Sequence, residues 1–180
     1  MYKSAFGLHI CTSWRRINES INTTLKYRIA TPIFQGRFEI LGKRQVNSPK
    51  INFRDTGSLH SLLDIPNGHN LLGHPKVGAS WEDFVLEQAL QILHPNAEYF
   101  WGTHAGAELD LVFQSGGNRY GIEIKFNEAP TLTPSMRIAS SELSLEHLWI
   151  VYPGNETYPV MKNITALPLK YLETIREQIQ

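Results

Sequence analysis

The chain has 180 residues, 42% of them hydrophobic and 19% charged, with 17 Lys and Arg against 17 Asp and Glu. That is enough for one sizeable core of ordinary globular composition, and the neutral balance excludes a chain drawn to polyanions by total charge alone. No apolar run approaches the roughly 18 residues of a membrane span, the lone Cys11 permits no internal disulfide, and a cytoplasmic protein without a membrane partner is expected.

Residues 1–40 match no pattern well. Met1 to Ile10 lacks the apolar core of a signal peptide, and Leu25 to Ile33 reads as a strand or a short helix. Gly36 to Arg44 is the nearest approach to a phosphate loop. Its glycines are one residue too far apart and Arg44 stands where Ser or Thr is needed, so no nucleotide hydrolysis is expected. Residues 41–77 form a basic lead-in. Lys50 to Arg54 reads as a short strand ending in the turn Asp55-Thr56-Gly57. Ser58 to Ile65 reads as a short helix closed by Pro66-Asn67-Gly68.

The third segment, residues 78–180, is better patterned. Ser80 is a candidate N-cap with Asp83 three residues on. Trp81, Phe84, Val85, Ala89, Ile92 and Leu93 follow at helical spacing up to His94-Pro95. Glu82 would then lie in the first turn, where a carboxylate complements the helix dipole. Glu98 to Thr103 reads as a strand, and a hairpin follows. Thr133-Pro134-Ser135 opens a helix carrying Met136, Ile138, Ala139 and Leu143. Leu148 to Tyr152 is a buried strand, Asn163 to Leu167 another strand, and Leu169 to Ile179 a final helix. Trp14, Trp81, Trp101 and Trp149 read as core rather than as a base-stacking platform. His60, His69 and His74 read as loop or surface residues without metal-ligand spacing.

Charge is uneven along the chain. Residues 1–76 carry a net +7, residues 77–128 a net −6 and residues 129–180 a net −1. Either the basic segment meets a polyanion or the two segments attract one another within one fold. In the first case Lys43, Arg44, Lys50 and Arg54 are the nucleic-acid-binding candidates.

The hairpin carries most of the chemistry. Gly106 to Gln114 and Arg119 to Phe126 alternate around Ser115-Gly116-Gly117-Asn118. With Gly116-Gly117 as a two-residue turn, Asp110 falls opposite Glu123 and Glu108 opposite Lys125, all on one face. Leu109, Leu111, Phe113, Ile122, Ile124 and Phe126 take the other face and are expected in the core. Like charges directly opposite repel. A solvated strand face would tolerate them. Otherwise a cation, a shared proton or a lysine must offset them, as in a magnesium site for phosphodiester chemistry.

Lys50 to Gly57, Gly78 to Phe84, Tyr99 to Trp101, Gly106 to Leu111 and Gly121 to Lys125 together resemble one family. It is domain-of-unknown-function family 4143, usually found C-terminal to an AAA-type ATPase module. The order helix, three strands, helix, strand is similar to the PD-(D/E)xK nuclease-like superfamily. The resemblance covers about residues 40–168. It implies an α/β restriction-endonuclease-like core, αβββαβ, with a mixed sheet flanked by helices. It also implies a site of Glu82, Asp110, Glu123 and Lys125. Asp110 and Glu123 would be the main ligands of Mg2+ or Mn2+, completed by the Ile124 carbonyl. Glu82 would hold a metal-bound water or second ion, and Lys125 would meet the phosphate or the attacking water. The expected function is metal-dependent hydrolysis of DNA. The alternative is a non-catalytic nucleic-acid-binding or ATPase-docking module of the same fold, in a truncated or rearranged member. Gly102 departs from the family pattern, which carries a basic residue after Tyr-x-Trp.

Overall fold

A computed structural model of the chain describes residues 30–33 and 50–179. Strand β1 (Ala30–Ile33) pairs antiparallel with β2 (Lys50–Phe53), with Ala30 opposite Phe53, as a separate two-stranded sheet. The expectation for residues 25–29, and those for Cys11, Trp14 and the loop Gly36 to Arg44, lie outside the described residues.

Three helices follow, the first two starting where a polar side chain meets free backbone N–H groups. Asp55 accepts from the N–H groups of Gly57 and Ser58, so the expected turn is in fact the cap of α1 (Thr56–Leu62). Asn67 likewise accepts from Asn70 N–H and starts α2 (Gly68–Leu72), where a turn is expected from the sequence. Helix α3 (Val77–Leu93) begins ahead of the expected cap. Ser80 is buried inside it, and its hydroxyl shares a 2.6 Å hydrogen bond with His60 Nε2 instead of capping. Glu82 therefore sits in the second turn, where the helix-dipole argument loses force. His94, with φ 44°, ends the helix before Pro95.

The main sheet has six strands: β3 (Glu98–Gly102), β4 (Glu108–Ser115), β5 (Asn118–Ile124), β6 (His147–Tyr152), β7 (Tyr158–Met161) and β8 (Ile164–Pro168). Their order is β3-β4-β5-β6-β8-β7. The β5–β6 and β6–β8 pairs are parallel and the others antiparallel, so the sheet is mixed. Helix α4 (Pro134–Glu142), capped by Thr133, carries the crossover from β5 to β6. A 3-10 turn at Leu169–Tyr171 leads to α5 (Glu173–Gln178). One face of the sheet packs Leu111, Phe113, Ile122 and Trp149 against α3 and α5. The other packs Trp101, Leu109, Val112 and Leu148 against α4. Trp101 and Trp149 are core, as expected; Trp81 is only partly buried.

The hairpin register is the expected one: Leu111 faces Ile122 and Ser115 faces Asn118. Gly116 and Gly117, at φ 57° and 83°, take the left-handed geometry that a tight hairpin turn requires. Two side chains depart from expectation. Register against β3 shifts between Tyr99–Val112 and Trp101–Leu109, which gives β4 one extra residue there. This bulge turns Leu109 to the α4 side, away from Leu111. Phe126 lies beyond the end of β5 and is 40% exposed, not core.

Gly121 sits where β4 and the segment between α4 and β6 close in. A Cβ there would lie 2.8 Å from Leu109 Cδ2 and 2.9 Å from Leu145 Cδ1. Gly121→Ala is therefore expected to destabilise the chain by about 1–3 kcal/mol through overpacking. Thermal denaturation reads this as a lowered Tm, and an unchanged Tm would mean that the leucines can retreat freely.

Candidate functional site

Past the last paired positions, Leu111 and Ile122, the hairpin ladder gives way to side-chain bonds. Asp110, 8% exposed, accepts the Ile124 N–H on Oδ2 at 2.9 Å. Its other oxygen, Oδ1, accepts from Lys50 Nζ at 2.8 Å. Lys50 also pairs with the Glu82 carboxylate, so one ammonium bridges α3 and β4. Glu123, 4% exposed, accepts from Lys125 Nζ at 2.5 Å on Oε1. Its Oε2 is buried without a hydrogen-bond partner among the described residues. Glu82, Asp110, Glu123 and Lys125 thus come together, and Lys50 joins them. The expected Glu108–Lys125 pairing is not part of the ladder. Glu108 is exposed and faces Gly102, and its backbone exchanges hydrogen bonds of 2.7 and 2.6 Å with Ser135 Oγ.

Burial sets the protonation of this cluster, and the lysines then modify it. Burial and the Asp110 charge push Glu123 up to about 8 despite Lys125. Burial and Asp110 also raise Glu82, with Lys50 opposing. Burial disfavours charge on Asp110 too, but Lys50, the Ile124 N–H and Lys125 overcome it, and Asp110 stays below its ordinary value. Burial disfavours the Lys50 ammonium, yet Asp110 and Glu82 hold it above the usual lysine range. The same balance, against Glu123 first, raises Lys125. Asp110 is therefore the ionised acid, and Glu123 holds its proton into neutral pH.

Two of the four residues proposed to contact nucleic acid have partners inside the chain. Lys50 is in the cluster. Arg54 donates to Glu87 Oε1 through Nε at 3.1 Å and Nη2 at 2.9 Å, and Gln91 Nε2 joins them at 2.8 Å. Between them Asp83 accepts the Phe53 backbone N–H, and burial raises its pKa to about 7. Strand β2 is thus fastened to α3 at three successive points. Lys43 and Arg44 lie outside the described residues.

Among the described residues, no three His, Cys, Asp or Glu side chains are arranged as a metal-binding group. The donors near Asp110 are carboxylate oxygens, the chemistry that Mg2+ and Mn2+ take. Glu123 Oε2, buried without a partner among the described residues, and Asp110 are of the donor type such an ion takes. Glu82 suits it only if Lys50 gives way. Ile124 presents its N–H, not its carbonyl, to Asp110. Lys50 is the site residue that sequence reasoning placed elsewhere. The available signal was that Lys50 opens a family-like motif, Lys50 to Gly57, that a loose basic patch does not require.

Residues 77–172 match the family described as "Domain of unknown function (DUF4143)". The chain is 44% identical over 163 residues to uncharacterized protein Mb2031c of Mycobacterium bovis. It is equally similar to uncharacterized protein Rv2008c of Mycobacterium tuberculosis. Each alignment covers 91% of this chain but 36% of the relative, so the chain spans little more than a third of either. No solved structure matches. No helix among the described residues is long and apolar enough to cross a membrane.

Two outcomes test the electrostatics in metal-free buffer. The folded chain holds the Glu123 proton up to about pH 8, against 4.5 for a free glutamate. The stability this contributes is complete below the lower value and lost as pH rises through the upper one. Urea denaturation in EDTA should show wild type losing stability from about pH 5 to about pH 8, and Glu123→Gln losing less. Parallel pH profiles would remove this account. Lys50→Met should leave Glu82 and Asp110 without their shared counter-charge. A fully buried pair broken this way loses about 3–5 kcal/mol, and solvent screening of a partly exposed lysine lowers that to about 1–3 kcal/mol. Adding Glu82→Gln should recover part of the loss.

Proposed function

The chain belongs to the DUF4143 family, and on the buried carboxylate–lysine cluster of its family domain we propose a divalent-metal-dependent phosphodiesterase acting on DNA. The element order α3-β3-β4-β5-α4-β6 supports a PD-(D/E)xK nuclease-like, restriction-endonuclease-like core. The observation that carries the reading is the Glu123 Oε2. It is an acceptor buried without a partner, on a strand next to ionised Asp110 and two residues before an accessible lysine.

Asp110 and Glu123 would hold Mg2+ or Mn2+, with Glu82 as a further carboxylate. Such an ion, when bound, supplies Lewis-acid stabilisation of phosphate charge and a more acidic water. The chain's own groups do the rest. The Ile124 N–H keeps one Asp110 oxygen fixed and so sets the direction of the other. Glu123 gives up its proton on loading. Lys125, with about a third of its side chain exposed, can leave Glu123 for a phosphate oxygen. Lys50 spans Glu82 and Asp110 and holds α3 and β4 at a fixed separation.

That same Lys50 bridge favours a second reading. An ammonium already neutralising Glu82 and Asp110 suits a non-catalytic nucleic-acid-binding module, or one that docks on an AAA-type ATPase. The test is cleavage of DNA with Mg2+ or Mn2+ by wild type, Asp110→Asn and Lys125→Ala. The nuclease reading expects each variant to keep its fold by circular dichroism and to lose about 10²–10³-fold in rate. Cleavage indifferent to both changes would sink it. No cleavage with any metal, alongside DNA binding that weakens steeply with salt, selects the second reading.

A further inference from the structure

We propose that Lys50 is a lock on the acidic cluster: its ammonium stands where a divalent cation would bind Glu82 and Asp110, and strand β2 has to loosen from α3 before one does. The proposal rests on the metal-dependent reading above and concerns how that same site is regulated.

The first ground is a conflict over oxygen atoms. Asp110 commits Oδ2 to the Ile124 N–H, which leaves Oδ1 as its freer oxygen, and Lys50 Nζ already donates to Oδ1 at 2.8 Å. The same ammonium donates to Glu82. Mg2+ takes its ligand oxygens at about 2.0–2.1 Å in a near-octahedral array. An ammonium held between the two carboxylates fills that space, and its charge repels a second cation. Glu123 Oε2 is the buried acceptor that neither lysine serves. Lys50 thus neutralises the cluster without satisfying it.

The second ground is which lysine can leave. Lys125 directly follows β5 and stays with the main sheet. Lys50 opens β2, which belongs to the separate two-stranded sheet. Polar contacts fasten this strand to α3: Lys50 to Glu82, the Phe53 N–H to Asp83, and Arg54, just past the strand, to Glu87. The Lys50 and Arg54 side chains are 33% and 42% exposed, so water can replace their ion pairs at small cost. Ile51 and Phe53 are only half-buried, and neither belongs to a core cluster. Asn52 is buried, but its Nδ2 has no partner among the described residues, a cost that undocking relieves. Strand β2 is therefore held weakly, as a local opening unit requires. Cation binding and β2 docking compete for the same two carboxylates, so each weakens the other by the same factor. Whatever lifts β2 raises the affinity of the site for a divalent ion.

The test is binding of Mn2+ alone to the full chain, read from loss of the free-ion electron paramagnetic resonance signal, with no nucleic acid present. Lys50→Met removes the competing charge. Arg54→Ala leaves the cluster whole and weakens only the docking of β2, and it keeps the proposal testable should Lys50→Met not fold by circular dichroism. The expected result is Mn2+ binding about ten- to hundredfold tighter in Lys50→Met than in wild type, and about two- to fivefold tighter in Arg54→Ala. Hydrogen exchange read by mass spectrometry gives the second measurement. Bound Mn2+ should speed exchange of the Phe53 amide in wild type by about fivefold or more, and should change nothing in Asp110→Asn. Equal affinity in wild type and both variants, or Phe53 exchange that bound Mn2+ leaves unchanged, overturns the lock while the metal reading stands. Weaker binding by Lys50→Met also overturns it, and makes Lys50 a group that positions the carboxylates for the ion. No Mn2+ bound by any of the chains removes the metal reading and the lock with it.

Discussion

Holding acidic side chains together where little water reaches is the constraint that organises this end of the sheet. Two unit charges about 4 Å apart repel by about 4 kcal/mol at an effective dielectric near 20. A like-charged pair on an exposed strand face costs at most about 1 kcal/mol. The difference decides between a solvated strand face and a built site: Asp110 and Glu123 are buried, so compensation has to be structural. It comes from Lys50 and the Ile124 N–H on Asp110, from Lys125 on Glu123, and from the proton that Glu123 retains. The bulge in β4 lies beside Asp110, and bulges of this kind re-aim side chains. Here the Asp110 carboxylate takes the amide at Ile124.

The charge asymmetry of the chain follows from the same constraint. The basic lead-in and the acidic middle attract one another inside one fold, at least where both are described. Lys50 meets Glu82, the Phe53 N–H meets Asp83, and Arg54 meets Glu87. Each contact binds β2 or the residue that follows it to α3, and Trp81 of α3 packs against the core. A polyanion reaching this region therefore meets no free basic face at Lys50 and Arg54. What it meets is Lys125, about a third of whose side chain is exposed.

The sheet and the hairpin were legible because their signals are local. Gly116-Gly117 sets the turn, and alternation from Leu111 to Gln114 and Arg119 to Ile122 sets the register. Thr133-Pro134 announces α4, and the grouping of Asp110, Glu123 and Lys125 is readable because all three belong to one hairpin. The failures come from contacts that sequence spacing does not carry. Ser80 has the residue type of a cap, but its hydroxyl went to His60, twenty positions away. Leu109 left its expected face because a bulge adds one residue to β4, and no single residue advertises it. Asp55 and Asn67 were read as turn residues, yet each side chain accepts the N–H groups that open a helix. Turn and cap use the same residues, and only the helix that follows separates them.

Lys50 is the most informative of these residues. Its basic neighbours group it with a charged patch, and in the fold it bridges two carboxylates. It also lies outside residues 77–172, the span that matches the family. Within that span the cluster has three carboxyl groups, Glu82, Asp110 and Glu123, against the single ammonium of Lys125. That imbalance calls for positive charge from elsewhere. A proton on Glu123 and the ammonium of Lys50 provide it in the chain as described. A divalent cation would provide the same charge in one step, by taking the oxygens on which the proton and the ammonium rest. On the metal-dependent reading proposed above, Lys50 is also the group such a cation would displace, and the docking of β2 on α3 would set how readily it yields.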